Sequence, residues 1–134
     1  MSRLIKLALA AIVALTIVPV ALAAGGQSLR ITGPHHVKAG HSARFVVKGK
    51  TPKSRWLPVF ADAQKCASNS TAEAVRTLGG TAVSAGGHTV KGKFHHAYKV
   101  NKSVPGSHYI CAYLDVPKGK FKTLIHRSFH YVTS

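Results

Sequence analysis

The stretch HTVKGKFHHAYKV, His88 to Val100, decides how this chain is read. Val90, Phe94, Tyr98 and Val100 fall on one side of an extended backbone, and Lys91, Lys93, His95 and Lys99 fall on the other. Alternation of this length marks a β-strand with one face in a core and the other in water. Toward the C-terminus, Val104-Pro105-Gly106 makes a turn, His108 to Leu114 reads as the next strand, and Lys118-Gly119-Lys120 as a tight turn. Phe121 to Val132 is the last strand, with Phe121, Ile125, Phe129 and Tyr131 on one side. Arg127 interrupts that side, so a bulge or strand end is expected nearby.

Toward the N-terminus the pattern changes between Asp62 and Gly80. Ser70-Thr71-Ala72-Glu73 matches a capping box, Ala74, Val75 and Leu78 supply an apolar stripe, and Gly79-Gly80 suits a helix stop. One short helix or helical loop is predicted there. Trp56 to Ala61 is a dense apolar run of strand length, with Pro58 pushing it toward an edge or an irregular start. Gly49 to Ser54 reads as a polar loop. His41 to Lys48 reads as a strand with Ala43, Phe45 and Val47 on one face, and Leu29 and Ile31 belong to a first strand ended by Gly33-Pro34. About seven short strands separated by Gly and Pro turns predict an all-β antiparallel sandwich with one short helix.

Residues 1–23 have the layout of a secretory signal: Arg3 and Lys6, an apolar stretch from Leu7 to Val20, and Ala21-Leu22-Ala23 as a cleavage site. An uncleaved membrane anchor is the competing reading of the same stretch. The expectation is a signal peptide over 1–23, one domain over 24–134, and a secreted or cell-surface protein. Export permits a disulfide, and Cys66 and Cys111 are read as a pair; thiols left free or holding a metal are the rival reading. In the chain-entropy picture a loop of that length stabilises the fold by about 4 kcal/mol.

Pro105-Gly106-Ser107-His108-Tyr109-Ile110-Cys111-Ala112-Tyr113 resembles the penultimate strand of an immunoglobulin-like domain. In such domains a tyrosine two residues before the cysteine folds its hydroxyl back onto the backbone. Trp56 is placed similarly to the buried tryptophan of that family. The family's order is Cys, Trp, Cys, whereas here Cys66 follows Trp56, and Ala43, Phe45 or Val47 fills the second-strand cysteine position. The bridge is therefore expected to tie the helical excursion to a later strand. In layout the chain is similar to secreted bacterial immunoglobulin-like domains, a likeness that implies a sandwich; the group includes adhesive, wall-associated and uncharacterised modules, and a shared fold does not fix function.

The formal charge of the chain is +16, with Asp62, Glu73 and Asp115 as its only acids. Loss of Arg3 and Lys6 with the signal leaves +14. Most basic side chains then have no intramolecular ion partner, which favours attraction to polyanions and bears on solubility, not on fold. In a seven-strand sandwich the segment from Lys48 to Arg55 and the turn from Lys118 to Lys122 share one end. That gathers Lys48, Lys50, Lys53, Arg55, Lys118, Lys120 and Lys122 in a basic pole suited to cell-wall polymers, acidic polysaccharide, anionic lipid or extracellular nucleic acid. Solvated loop lysines are the plainer reading of the same residues. The nine histidines suggest surface charge that grows on acidification, a shared Zn or Cu site being the alternative.

No H-E-x-x-H, G-x-S-x-G or nucleotide-binding glycine fingerprint occurs, and the three acids form no obvious pair, so neither an enzyme nor a cofactor is expected. The function read from sequence is a non-enzymatic secreted or surface module for anionic polymers. The alternative is an assembly protein that works through β-edge or other contacts with an exported partner.

Overall fold

The computed structural model describes residues 26–101, 103–117 and 122–134. The expected signal at 1–23, the turn residues Lys118 and Lys120, and Phe121 lie outside the described residues. Along the chain run β1 (Ser28–Thr32), β2 (His36–Val37), β3 (Ala43–Asp62), α1 (Ser70–Leu78), β4 (Ala82–Val100), β5 (Gly106–Asp115) and β6 (Thr123–Thr133). The described residues are mostly β with one short helix. Among the described residues no helix is long and apolar enough to cross a membrane.

β3 and β4 form one long antiparallel ladder, from Ala43↔Val100 to Asp62↔Ala82. The free side of β3 pairs first with β1, from Val46↔Thr32 to Lys50↔Ser28, and later with β5, from Trp56↔Asp115 to Asp62↔Tyr109. β5 continues to β6, and the two-residue β2 joins β6 in parallel. One curled sheet results, whose first half (β1, early β3, late β4) folds over its second.

The expected loop at Gly49–Ser54 is corrected here: all of it lies within β3, and only the three residues between Thr51 and Arg55 leave the register. Opposite them stands Lys91 alone. Pro52 has no N–H to give to a ladder, so the extra residues bulge outward, and the Thr51 hydroxyl closes the bulge on the Lys53 carbonyl at 3.0 Å. Across the ladder Gly92 takes φ +70°, a left-handed conformation that glycine adopts without strain. The two strands predicted at His41–Lys48 and Trp56–Ala61 are thus the two arms of one bent strand.

The core lies inside the curl. Leu29 and Ile31 of β1, Phe45 and Val47 of early β3, and Phe94 and Tyr98 of β4 meet Leu57, Val59, Ile110, Ala112, Leu114 and Tyr131. The Phe45 ring sits 4.8 Å from that of Tyr131 and 5.8 Å from that of Phe129. Val90, Phe94 and Tyr98 are buried and Lys91, Lys93, His95 and Lys99 exposed, as the alternation requires. The irregularity expected near Arg127 falls instead at Leu124, skipped between the pairs Leu114↔Ile125 and Asp115↔Thr123.

On the opposite face of the second half lie Phe60, Cys111 and Tyr113, under α1. The Cys66–Cys111 disulfide, with Cα atoms 5.6 Å apart, binds the segment before the helix to β5. Two helix expectations change. Asn69, not Ser70, caps the helix, its side chain accepting from the Ala72 N–H at 2.8 Å. The residues buried toward the sheet are Ser70 and Glu73, while Val75 and Leu78 stand 59% and 87% exposed. The sheet below offers carboxylates and a phenol, so the polar side of the helix is the one that docks.

At Gly49 the backbone of β1 and a ring of β4 leave no room for a side chain: a Cβ there would lie 2.1 Å from the Ser28 carbonyl oxygen and 2.8 Å from the Phe94 ring. Gly49→Ala should therefore cost about 1–3 kcal/mol in urea unfolding, the usual cost of overpacking. Hydrogen exchange should report lost protection first in β1, and an unchanged midpoint would mean that β1 does not approach this closely.

Candidate anion-binding face

The outer face of the first half is basic across all three strands. Outward positions carry Arg30 on β1, Arg44, Lys48 and Lys50 on β3, and Lys93, His95 and Lys99 on β4, all exposed. Register sets like charges directly opposite one another at Arg30↔Lys48, Lys50↔Lys93 and Arg44↔Lys99, and places His95 opposite Lys48. Directly opposed like charges destabilise a sheet by a few tenths to about 1 kcal/mol per pair. Between the two ends of this face lies an uncharged step, Thr32, Val46 and Ala97.

Around Gly49 the face forms a depression of about 470 Å³, lined by Ser28, Arg30, Lys48, Lys50, Lys93 and His95. Its floor is the paired row Leu29, Gly49 and Phe94, which turns its side chains inward and presents only backbone here.

No acid answers these charges, because all three carboxylates of the chain are buried beneath or beside α1. Asp62 is 1%, Glu73 0% and Asp115 1% exposed. Asp62 accepts from Arg76 and from the Gln64 N–H, both at 2.8 Å. Glu73 Oε1 accepts from the Ala67 N–H at 2.8 Å, and the Tyr113 hydroxyl donates to the Ala67 carbonyl at 2.7 Å with Glu73 Oε1 at 3.0 Å. Asp115 accepts from Ser70 and, at 2.7 Å, from Thr123. Both ion pairs among the described residues belong to Arg76.

Burial opposes ionisation of Asp62, but hydrogen bonds from Glu73, Arg76 and Gln64 outweigh it and hold its carboxyl below the usual range. Glu73 moves the other way, raised by burial and by its hydrogen bond to Asp62. The two carboxyls behave as one site in which Glu73 keeps its proton longer. Asp115 is also raised, its burial outweighing the bonds from Ser70 and Thr123. Asp62, Glu73 and Cys111 lie close enough to suggest a metal centre, but the Cys111 sulfur is spent in the disulfide and Arg76 occupies Asp62.

Of the expected pole, Lys118 and Lys120 lie outside the described residues, and the other five fall in two places. Lys48 and Lys50 are strand residues on the basic face, not loop residues, a consequence of the ladder running on through Thr51. Lys53 is exposed on the bulge, and Arg55 is half-buried with its Nε unpartnered. Because Trp56 pairs with Asp115, Lys53 and Arg55 lie at the end where the β5–β6 connection leaves, together with exposed Lys122. Arg30, Arg44, Lys93 and Lys99 lie on this face and outside the expected pole; alternation gives their facing, but only the register makes them neighbours.

Two features expected from the immunoglobulin-like resemblance shift position. The tyrosine bonded to distant backbone is Tyr113, two residues after the cysteine, while the Tyr109 ring tilts against His130 at 4.9 Å. Trp56 is half-buried outside the main core, its ring against Gly87. Among the histidines, His88 and His96 stack at 4.0 Å with planes 10° apart. Parallel rings keep their in-plane lone pairs in separate planes, a poor arrangement for chelating one ion. The His88 Nδ1 lies 3.0 Å from the hydroxyl of Tyr98, whose phenol burial pushes up to about 12. Burial, then the charges of His88 and His95, lower His96.

No family model matches the chain, and no curated protein does. Solved structures do share its fold. The crystal structure of the CARDB domain of the PF1109 protein from Pyrococcus furiosus, in complex with di-metal ions, is similar at a TM-score of 0.53 and 15% identity. That likeness covers 81% of this chain and 87% of that one. The solution structure of the same domain gives 0.51 at 16% identity, covering 80% and 93%. A β-glucosidase from Listeria innocua gives 0.50 at 14% identity over 80% of this chain, which spans 16% of that enzyme. These likenesses concern the fold alone and join this β-rich architecture to that of CARDB domains.

Glu73 gives a pH test. A carboxyl whose folded pKa is raised adds stability that is complete below its unfolded pKa, near 4.3, and is lost as pH rises through the folded value. Glu73→Gln cannot ionise, so its melting temperature relative to the unaltered protein should rise between pH 4 and pH 8. A constant difference across that interval would show that folding leaves the Glu73 pKa unchanged.

Proposed function

We propose that this protein is a non-enzymatic, secreted or cell-surface module that associates with anionic polymers through the outer face of β1, early β3 and late β4. The observation that carries the reading is the set of like charges in direct cross-strand register, with every acid of the chain buried elsewhere. Such a surface costs folding stability when bare, and a bound polyanion offsets the repulsion while releasing counterions. Strand residues two apart are about 7 Å apart, so the rows Lys48–Lys50 and Lys93–His95 meet a polymer with regularly repeating charge. The disulfide and the signal-like residues 1–23 support export. The sandwich reading, immunoglobulin-like with about seven strands, draws support from the curl of the sheet and the CARDB likeness.

A second reading rests on the edge of β4, which pairs only with β3 among the described residues. Assembly through that edge predicts association that depends on protein concentration and survives loss of the basic face. Lys91, Lys93 and Lys99 on the same strand oppose it, since lysines guard open edges.

The test is binding of the oxidised protein to duplex DNA and to an anionic wall polymer across a salt series. Replacing Arg44, Lys48, Lys50 and Lys99 by Gln should weaken binding and lower the salt slope on DNA by up to about 3.6, at roughly 0.9 per lost phosphate contact. Replacing Lys53, Arg55, Lys118, Lys120 and Lys122 should have a smaller effect. If the second set mattered more, the working surface would be the hairpin end; equal weak binding by all three proteins would end the polyanion reading.

A further inference from the structure

We infer that the depression over Gly49 is a subsite for one tetrahedral oxyanion group, a phosphate or sulfate, which is the unit of the polymer that the face takes. The inference rests on the polyanion reading for its biological setting and on separate geometry for its position. Net positive charge alone gives a diffuse counterion atmosphere. Here five basic side chains and one hydroxyl stand as a ring around a floor without side chains, two from each of three adjacent strands.

The ring has the size of one such group. Its positions are about 7 Å apart along each strand and about 10 Å from β1 to β4. Long lysine and arginine side chains close over a group of that width, while the inward-turned Leu29 and Phe94 leave the floor open. Arg30 offers paired N–H donors in a planar fork, Lys48, Lys50 and Lys93 each offer an ammonium, and Ser28 supplies a neutral donor at the rim. None of these side chains has an ion pair among the described residues, so their donors face solvent ready for a ligand.

The other end of the face lacks this arrangement. Arg44 and Lys99 stand opposite each other beside Ser42, Ala43, Ala97 and Tyr98, a hollow of about 350 Å³ with two charges rather than five basic side chains. A polymer crossing the whole face therefore meets one strong site and one weak one, separated by the uncharged step at Thr32, Val46 and Ala97.

The test titrates inorganic phosphate, and separately sulfate, into the oxidised full-length protein at constant ionic strength held with sodium chloride, following backbone amide signals by NMR. Saturable shifts are expected at Ser28, Gly49 and Lys93 to His95. Lys50→Gln with Lys93→Gln should weaken them at least tenfold, and Lys38→Gln with Lys65→Gln, which removes the same charge elsewhere, should leave them within twofold. Comparing the two anions shows which oxyanion the ring prefers. Shifts that never saturate, or that weaken equally in both variants, would overturn the subsite in favour of a counterion atmosphere. Polymer binding without saturable phosphate or sulfate binding would likewise overturn the subsite and leave the polyanion reading standing. Saturable binding without polymer binding would keep the subsite and remove the polymer.

Discussion

The continuous ladder between β3 and β4, bent once at Thr51–Arg55, is the constraint on which the structure depends. Both strands belong to both halves of the curl, so the bend sets the distance and angle at which Phe45 and Val47 meet Tyr131 and Ile110. Straightened, the same strands would make one long flat ribbon with its apolar side open to water. The bulge at Pro52–Ser54 and the left-handed Gly92 act at the same rung, one adding length to the outer strand and the other relaxing the inner. The core is thus a result of the bend as much as a cause of it.

The carboxylates form a second, dependent layer. With three acids and a large excess of bases, a chain that left its acids on the surface would have a few local neutral spots. This chain instead spends them under α1, where they join Arg76, Ser70, Thr123 and the Gln64 and Ala67 amides. Polar docking of this kind suits a nine-residue helix whose own aliphatic side chains point outward. Its electrostatic consequence is global: the exposed surface of the described residues carries basic side chains and no acidic one.

Much of this architecture is legible from residues alone. The alternation in His88–Val100 gives strand and facing together, and Cys66 with Cys111 gives a bridge outside the central core. The failures have particular causes. Gly49 to Ser54 has loop composition, yet a bulge can absorb proline and polar residues without ending a strand. Ser70 and Asn69 are equally good caps locally, and a contact to Asp115, 45 residues away, assigns Ser70 to another task. The site was half visible for a similar reason. Alternation tells which lysines point outward, whereas β1, β3 and β4 become neighbours only through a register that no local pattern states.

The placement of the disulfide has a mechanical side. Cys66 and Cys111 bracket α1 and the whole of β4, 45 positions of chain, while the N-terminal strands and β6 lie outside the bracket. A pull applied to the two ends of the domain passes through the sulfur bridge and leaves the enclosed segment off the path of force. About 150 Å of contour length is withheld from extension in this way, at roughly 3.4 Å per residue. A module anchored at one end and gripped through late β4 would then carry tension between anchor and ligand through the rungs of the β3–β4 ladder, loaded sideways along their length.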